Sequence, residues 1–354
     1  MGGDDDGVMM NKTVSERASS GRPRFPFPRY PTGWFQIGWS EDVAVGQVVP
    51  MTRFGKELVV FRRSDGVIKV LDAYCPHMGA HLGHGGVLKD DELVCPFHAW
   101  QFNGDGACTT IPYAQKVPPR AKVDCWPVNE VNGTIMVWHD AEKRPPTWEI
   151  PDLPEFSSDK WSTAWHRVWR IRTHNQEMAE NMVDVAHFKY LHGTKNMPPA
   201  EITVEGPLFK VKAITVMETA HGEVEGNLDV SAYGFGFSVN RFSGLVETLL
   251  IGAVCPVDDE FVDVRFSFVV KKFGGRDITE GIGRAFVAEI ARQLEQDTPV
   301  WENKIYIDPP LLCDGDGPIG RFRVWCKQFY PDSSVRETYQ AFYGRPMAGP
   351  GEGA

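Results

Sequence analysis

Residues 75–98 read CPHMGAHLGHGGVLKDDELVCPFH, and this stretch decides the fold of the N-terminal half of the chain. It contains two short loops with one cysteine and one histidine each, Cys75 with His77 and Cys95 with His98. The segments LVVFRR and IKVLDAY before the first loop, and VLKDDELV before the second, have the pattern of β-hairpin strands bounded by turns. Two hairpin tips can bring two thiolates and two imidazoles to a single metal centre.

A 2Fe-2S cluster and a structural zinc ion are the two candidates for this ligand set. In a cluster with two cysteines on one iron and two histidines on the other, the imidazoles raise the reduction potential. Zinc sites of the same composition usually pair cysteine with cysteine and histidine with histidine. Each loop here is mixed, and Gly79 or the aromatic pair Phe97 and Trp100 follows close behind. The loops therefore favour the cluster and predict a redox protein.

Length and composition limit what else the chain contains. Its 354 residues have room for two domains, and the cluster loops need only the first of them. The formal net charge of -10 argues against nucleic acid or an anionic membrane as a partner. We find no apolar run long enough to span a membrane and no signal peptide, and the seven cysteines suit a reducing compartment. A cytoplasmic location is expected.

A second set of polar residues lies in EMAENMVDVAHFKYLHG, residues 177–193. The composition predicts a helix, on which Asn181, Asp184 and His187 share one stripe. His192 lies about 140° round the helix from His187, so the helix must loosen near Gly193 before both imidazoles can reach one metal. Spacing alone leaves this pair of histidines more often structural than metal-binding.

The segments CPHMGAHLGHGG and CPFHAWQFNGDG, together with N-x2-D-x2-AH-x4-H, resemble the Rieske non-haem iron oxygenases. Mitochondrial-type Rieske proteins carry two extra disulfide cysteines, where this chain has Ala80 and Phe97. Ala99 replaces a glycine that is common in the oxygenases. The resemblance implies that His187 and His192 bind a mononuclear iron with a downstream carboxylate. It also implies one 2Fe-2S cluster per subunit, bound by Cys75, His77, Cys95 and His98.

The third iron ligand is expected in TEGIGRAFVAEIARQLEQDTPVWENK, where most acidic residues would lie on an exposed helix face. Asp297 precedes Pro299 by two residues, where a helix tends to kink or end and a side chain can turn inward. Asp297 also matches the family pattern D-x3-W-x2-K, together with Trp301 and Lys304. We predict Asp297 as the ligand, with Glu295 as the weaker alternative.

The resemblance further implies an electron path between subunits. Asp184 would accept a hydrogen bond from His187 of its own subunit and one from His98 of a neighbour, with Asn181 as support of the iron site. The resemblance also implies a homotrimer for this path, closed head to tail. No G-x-G-x-x-G nucleotide motif follows a strand, so electrons are expected from NAD(P)H through a separate flavin and iron-sulfur reductase, with or without a ferredoxin.

Further segments, among them LDAYCPHMGAHL, VDVAHFKYLH and VWENKIYIDPPLL, resemble the steroid-oxidising branch of the family. That branch includes the oxygenase component of 3-ketosteroid 9α-hydroxylase and the Neverland-type cholesterol 7-desaturases. The resemblance is weakest over residues 199–272, where the substrate is expected. Phe235, Phe237 and Val239 alternate there as candidates for an apolar pocket, and ordinary sheet core is an equal alternative for each of them.

These observations predict an α+β chain with an all-β Rieske domain over residues 31–150. A helix-grip-like catalytic domain, an antiparallel sheet with helices that carry the iron ligands, is predicted over 151–335. Residues 1–30 and 336–354 are predicted as flexible tails. The expected activity is O2-dependent hydroxylation or desaturation of a steroid-like substrate. Aromatic hydroxylation, demethylation and simple electron transfer remain alternatives.

Overall fold

The computed structural model describes residues 24–194, 200–219, 222–244, 246–274, 281 and 283–332. The N-terminal domain contains ten strands in three antiparallel sheets: β1–β10–β9, β2–β3–β4 and β5–β6–β7–β8. The strand bounds are β1 Gly33–Trp39, β2 Val48–Arg53, β3 Lys56–Arg62, β4 Ile68–Asp72, β5 Val87–Lys89, β6 Glu92–Val94, β7 Gln101–Phe102, β8 Cys108–Thr110, β9 Val128–Val131 and β10 Thr134–His139. The all-β prediction for this half is confirmed.

Two hairpins present the cysteine-histidine loops. The first loop follows β4 and the second follows β6. The turn between β5 and β6 has Asp90 and Asp91 at φ 52 and 63, the left-handed pair that matches the twist of a two-residue hairpin turn. Below the loops, a core around Phe61, Leu82 and Phe102 buries the strand ends. The loops are therefore fixed from beneath and face outward.

The C-terminal domain is a seven-stranded antiparallel sheet in the order β11–β17–β16–β15–β14–β13–β12. Its strands are β11 Trp165–Ile171, β12 Ala200–Glu205, β13 Leu208–Thr219, β14 Gly222–Tyr233, β15 Phe237–Ser243, β16 Thr248–Pro256 and β17 Val262–Val270. Its helices are α1 Asn175–Glu180, α2 Val185–Tyr190, α3 Arg284–Asn303 and α4 Ile319–Cys326. Buried residues of α3 pack on the sheet in two clusters, with Val287 in one and Leu294 and Trp301 in the other. The predicted α+β class, a sheet covered by helices, is confirmed. Within the described residues, no helix is both long and apolar enough to span a membrane.

The two domains pack through β1. A Cβ at Gly236, just before β15, would lie 2.1 Å from the carbonyl oxygen of Trp34, so only glycine fits this approach. Trp34 belongs to a buried cluster that also contains Met136 of β10 and Phe237 and Val239 of β15. One face of β15 is therefore buried in the domain interface.

Part of the predicted N-terminal tail packs into the C-terminal domain. Phe25 and Phe27 are 7% and 8% exposed and belong to the same cluster as Phe322 of α4. The guanidinium of Arg24 donates to the backbone carbonyl oxygens of Trp301, Glu302 and Lys304 at the end of α3. The prediction of a tail is wrong for residues 24–30, because the two phenylalanines of the proline-rich stretch bury apolar surface. Residues 1–23 and 336–354 lie outside the described residues.

Substitution of Phe27 by alanine is expected to lower the free energy of unfolding by about 3–5 kcal/mol, the usual cost of truncating a buried phenylalanine. Its ring contacts those of His174, Tyr306 and Tyr330 at centroid distances of 4.5, 5.0 and 6.1 Å. The measurement is the denaturant midpoint of the iron-loaded protein. An unchanged midpoint would show that this segment does not stabilise the domain.

Candidate metal centres

The two cysteine-histidine loops have the same backbone geometry. The N–H of Gly79 donates to the carbonyl oxygen of Cys75, and the N–H of Ala99 donates to that of Cys95. Both turn residues are left-handed, at φ 75 and 56. Glycine adopts this conformation freely, whereas alanine is strained by roughly 1–2 kcal/mol. Ala99 thus occupies a position that favours glycine without changing the loop.

Within the loops, the cysteines lie inside and the histidines outside. Cys75 and Cys95 are 2% and 3% exposed. The rings of His77 and His98 lie 4.8 Å apart, with His77 exposed and His98 half-buried. Trp100 stacks on His77 at 4.7 Å. The four side chains predicted to bind the cluster are thus brought together, with the imidazoles at the surface.

The chemistry of this donor set fits a cationic group. Burial and the neighbouring Cys95 thiol raise the pKa of Cys75 to about 11. Two adjacent buried thiolates are therefore unfavourable without a positive charge between them. Iron supplies that charge and stabilises both thiolates. The pair of thiols with two outer imidazoles accordingly fits a 2Fe-2S cluster of the mixed-ligand kind.

The helix predicted over residues 177–193 is broken into α1 and α2. Asp184 begins the second helix as its N-cap, because its Oδ1 accepts from the backbone N–H groups of Ala186 and His187 at 3.2 and 3.3 Å. The expected loosening at the other end is present. Leu191 ends α2, the N–H of His192 bonds back to the carbonyl oxygen of His187, and Gly193 has φ 75. The prediction that Asn181, Asp184 and His187 share one stripe of a single helix is therefore wrong.

This geometry brings His187, His192 and Asp297 together. Their ligand atoms all lie within 4.8 Å of one another, and Nε2 of His192 is 3.5 Å from Oδ1 of Asp297. Burial lowers the pKa of His192, but the contacts with Asp297 and Gln296 outweigh it and raise the pKa above the ordinary value. The site therefore favours a cation, and two imidazoles with one carboxylate form the facial set typical of non-haem iron.

A hydrogen bond at Nδ1 holds the ring of each histidine in place. Nδ1 of His187 donates to the backbone carbonyl oxygen of Asp184, and Nδ1 of His192 lies 3.1 Å from Oε1 of Gln296. A hydrogen on each Nδ1 leaves Nε2 with the lone pair that a metal needs. Sequence reasoning missed Gln296. Its place beside Asp297 was the available signal, but neighbouring residues on a helix point about 100° apart.

Replacement of Gln296 by leucine is expected to weaken iron binding at the mononuclear site roughly 10–100-fold, because His192 loses its orienting acceptor. Gln296→Glu retains an acceptor and should keep near-native affinity. Competition with a chelator measures the affinity, and the cluster absorbance of the same sample is the internal control. Equal affinity in the leucine variant would show that Gln296 does not position His192.

The Asp184 carboxylate does not accept the hydrogen bond from the imidazole of His187 that the resemblance implied. Its Oδ2 lies 3.9 Å from Nδ1 of His187, beyond hydrogen-bond distance, while Oδ1 caps α2. The backbone carbonyl of the same residue takes the imidazole N–H instead. The side chain is 37% exposed, so Oδ2 is open to a further donor.

Helix α3 carries the carboxylate and continues through Pro299 to Asn303, so the helix does not end near Asp297. Asp297 is buried because it lies on the sheet-facing side of α3. Glu295 points away, and its Oε1 accepts from the indole of Trp169 at 3.3 Å.

Ion pairs fix α1 against the surrounding helices. Nζ of Lys304 lies 2.9 Å from the fully buried carboxylate of Glu177, just after the end of α3. Arg323 of α4 donates to both carboxylate oxygens of Glu180, at 2.7 and 2.8 Å. These charges are paired in the interior, and loss of one partner would leave the other buried and uncompensated.

A mostly apolar cavity of about 280 Å³ opens beside the three candidate ligands. Asn181, in the connection between α1 and α2, lines it together with residues of strands β13 to β17. On β15, Ser238, Asn240 and Phe242 line it from the face opposite the domain interface. The pocket candidate Val239 is wrong, since it packs into the domain interface on the other face. Phe235 and Phe237 border the cavity but lie in two different core clusters.

Comparison with known proteins gives a consistent result over both domains. The model of the Rieske [2Fe-2S] domain matches residues 33–127, and that of the 3-ketosteroid 9alpha-hydroxylase C-terminal domain matches residues 137–330. A probable 3-ketosteroid-9-alpha-monooxygenase oxygenase component from Rhodococcus rhodochrous is 34% identical over 87% of this chain and 82% of its own length. Cholesterol 7-desaturase nvd 1 from Ciona intestinalis is 33% identical over 89% of this chain and 72% of its own.

Solved structures share the fold at lower identity. Pseudomonas putida NdmA with caffeine has a TM-score of 0.70 and 18% identity, and covers 91% of this chain and 97% of its own. Dicamba monooxygenase bound to dicamba has a TM-score of 0.68 and 18% identity, over 84% and 96% of the two chains. Together with the two candidate ligand sets, the sequence matches show that the chain belongs to the Rieske non-haem iron oxygenases, as an oxygenase component with a catalytic domain of the 3-ketosteroid 9α-hydroxylase type.

Proposed function

We propose that this monooxygenase component oxidises an unactivated C–H bond of a steroid or sterol, by hydroxylation or desaturation. The observation that carries the proposal is the position of His187, His192 and Asp297 in the wall of the apolar cavity. A rigid, apolar molecule in that cavity would lie directly beside the metal position. The relatives are named for 3-ketosteroids and cholesterol, which share such a nucleus.

The enzyme uses one 2Fe-2S cluster and one mononuclear iron per subunit. We assign Cys75, His77, Cys95 and His98 to the cluster. His187, His192 and Asp297 are assigned to the mononuclear iron. When bound, the two groups supply electron transfer and activation of dioxygen.

The side chains of this chain prepare the site for that chemistry. Hydrogen bonds from Nδ1 of each histidine fix the ring orientations, and the carboxylate of Asp297 leaves a face of the site open toward the cavity. The apolar residues of the sheet exclude water from the bound substrate. Asn181 lies at the cavity wall and supports this site in our assignment.

As an oxygenase component, the chain receives electrons from a separate reductase. We propose a flavin and iron-sulfur reductase, acting directly or through a ferredoxin in the cytoplasm. We further propose a homotrimer in which His98 of one subunit meets Oδ2 of Asp184 in the next. The outward-facing imidazole and the open carboxylate oxygen support this contact.

The test is mass spectrometry of products after incubation of the iron-loaded protein with a generic reductase, NADH and single substrates. The panel contains sterols, ketosteroids and polycyclic aromatics. A steroid product heavier by one oxygen atom, or lighter by two hydrogen atoms, is the expected result. Oxidation of aromatic compounds alone, or demethylation alone, would contradict the proposal, and the His187→Ala variant controls for reductase side reactions.

A further inference from the structure

The side-chain amide of Asn240, in the wall of the cavity, has both of its hydrogens committed to the protein. Nδ2 of Asn240 donates to Oγ of Ser238 at 3.1 Å and to the carbonyl oxygen of Leu250 at 3.4 Å. Gln293 also lines the cavity, and its Nε2 donates one of two hydrogens to Oε1 of Glu289 at 3.0 Å. Asn240 has only its carbonyl oxygen left, for which no protein donor is found among the described residues.

The hydrogen-bond partners fix the orientation of both amides. Ser238 has one hydroxyl hydrogen, and it donates to the carbonyl oxygen of Gly252 at 3.1 Å. Its oxygen can therefore only accept from Asn240, and the carbonyl of Leu250 also requires a donor. The carboxylate of Glu289 likewise accepts only. A flip of either amide would place its oxygen against another acceptor oxygen. Oδ1 of Asn240 and Oε1 of Gln293 are therefore the oxygens that have no hydrogen-bond donor among the described residues.

These two acceptors share one end of the cavity. On α3, Gln293 lies one turn before Asp297 and Trp301 one turn after it, so the two flank the metal position on opposite sides. Asn240 pairs in register with Leu250. Leu250 packs with Phe242 and Ile290 toward the N-terminal half of α3. The indole of Trp301, which can donate a hydrogen bond, belongs to the other end.

We propose that Asn240 selects a steroid with a hydroxyl group, rather than a ketone, at the end that lies away from Trp301. This inference rests on the proposed function and names the substrate class within it. A hydroxyl can donate to Oδ1 of Asn240 and accept from the remaining N–H of Gln293. A ketone oxygen only accepts, so it would displace water from Oδ1 of Asn240 without replacing the bond. The site thus disfavours the ketone as well as favouring the alcohol.

Binding to the anaerobic, iron-loaded protein tests the selection without turnover. The probes are two pairs of an alcohol and its ketone, and each of the four steroids carries one polar group. The pairs are 5α-androstan-3β-ol with 5α-androstan-3-one, and 5α-androstan-17β-ol with 5α-androstan-17-one. Isothermal titration should show that the alcohol of at least one pair binds roughly tenfold more tightly than its ketone. Asn240→Leu should bring that ratio close to one, mainly through weaker binding of the alcohol.

Asn227→Leu is the matched control, because Asn227 is an exposed asparagine of the neighbouring strand β14 that bonds Ser243 outside the cavity. This variant should keep the native ratio of the affinities for alcohol and ketone. Asn240→Ala provides the result if Asn240→Leu does not fold. Equal affinity for alcohol and ketone in both pairs, or tighter ketone binding, would overturn the selection while steroid binding itself stands. Absence of binding by all four steroids would overturn the proposed function and this inference together.

Discussion

Replacing Asp297 with alanine is expected to remove the mononuclear iron and reduce turnover to background, while the absorbance of the 2Fe-2S cluster stays unchanged. The carboxylate is the only anionic member of the three-residue set, and its Oδ1 lies 3.5 Å from Nε2 of His192. Two neutral imidazoles alone bind iron weakly and leave its charge uncompensated. Metal analysis before and after desalting, together with a visible spectrum, measures both centres in one sample.

Glu295→Ala is the control for that experiment, since it removes a carboxylate from the same helix two residues away. Glu295 is exposed, contacts Trp169 of the edge strand β11 and does not belong to the candidate set. This variant should retain its mononuclear iron and its activity. Loss of iron from Glu295→Ala, with iron retained in Asp297→Ala, would reverse the ligand assignment.

Asp184→Ala is expected to keep both metal centres and to lose turnover by roughly 10–100-fold or more, because it removes the proposed link to the neighbouring cluster. The backbone carbonyl that holds His187 is unaffected by the substitution. The same change also removes the N-cap of α2, at a cost of about 1 kcal/mol. Single-turnover oxidation of the reduced cluster, followed by stopped-flow absorbance, separates electron transfer from the later steps.

Asp184→Asn separates the two roles of this residue. Asparagine caps a helix as well as aspartate does, so the stability of α2 should be retained. Its amide has no charge and only one acceptor oxygen, which the cap already uses. Slow cluster oxidation in both variants, with normal stability in Asp184→Asn, is the expected pattern. Native rates in Asp184→Asn would contradict the path between subunits, and light scattering of the same samples tests the trimer.

The metal-binding loops could be predicted because their chemistry is local. Each thiol and its imidazole lie within three or four residues, and the turn that brings them together is encoded by the same segment. Asp297 was harder, since it lies on a distant helix and was singled out by a family pattern. The structure gives that pattern a reason: Trp301 lines the cavity, and Lys304 pairs with the buried Glu177.

The pocket could not be predicted from alternation, and the reason is physical. Period-two patterning separates a buried face from an exposed one, but both faces of β15 are covered. Val239 packs in the domain interface, and Asn240 lines the cavity. The alternation of Phe237 and Val239 therefore marked the face that packs into the domain interface. The break before α2 was missed for a similar reason, since Asp184 fits a helical stripe and an N-cap equally well.

The contacts of Arg24 affect the order in which the two domains can fold. Its guanidinium closes the C-terminal end of α3, 277 residues later in sequence, where carbonyl groups would otherwise lack partners. A ribosome releases that helix long after the cluster loops have emerged, so the first domain can form while the iron-binding helix is still missing. A shortened protein that begins at the first β-strand would retain every candidate metal ligand but lose this cap of the helix that carries Asp297.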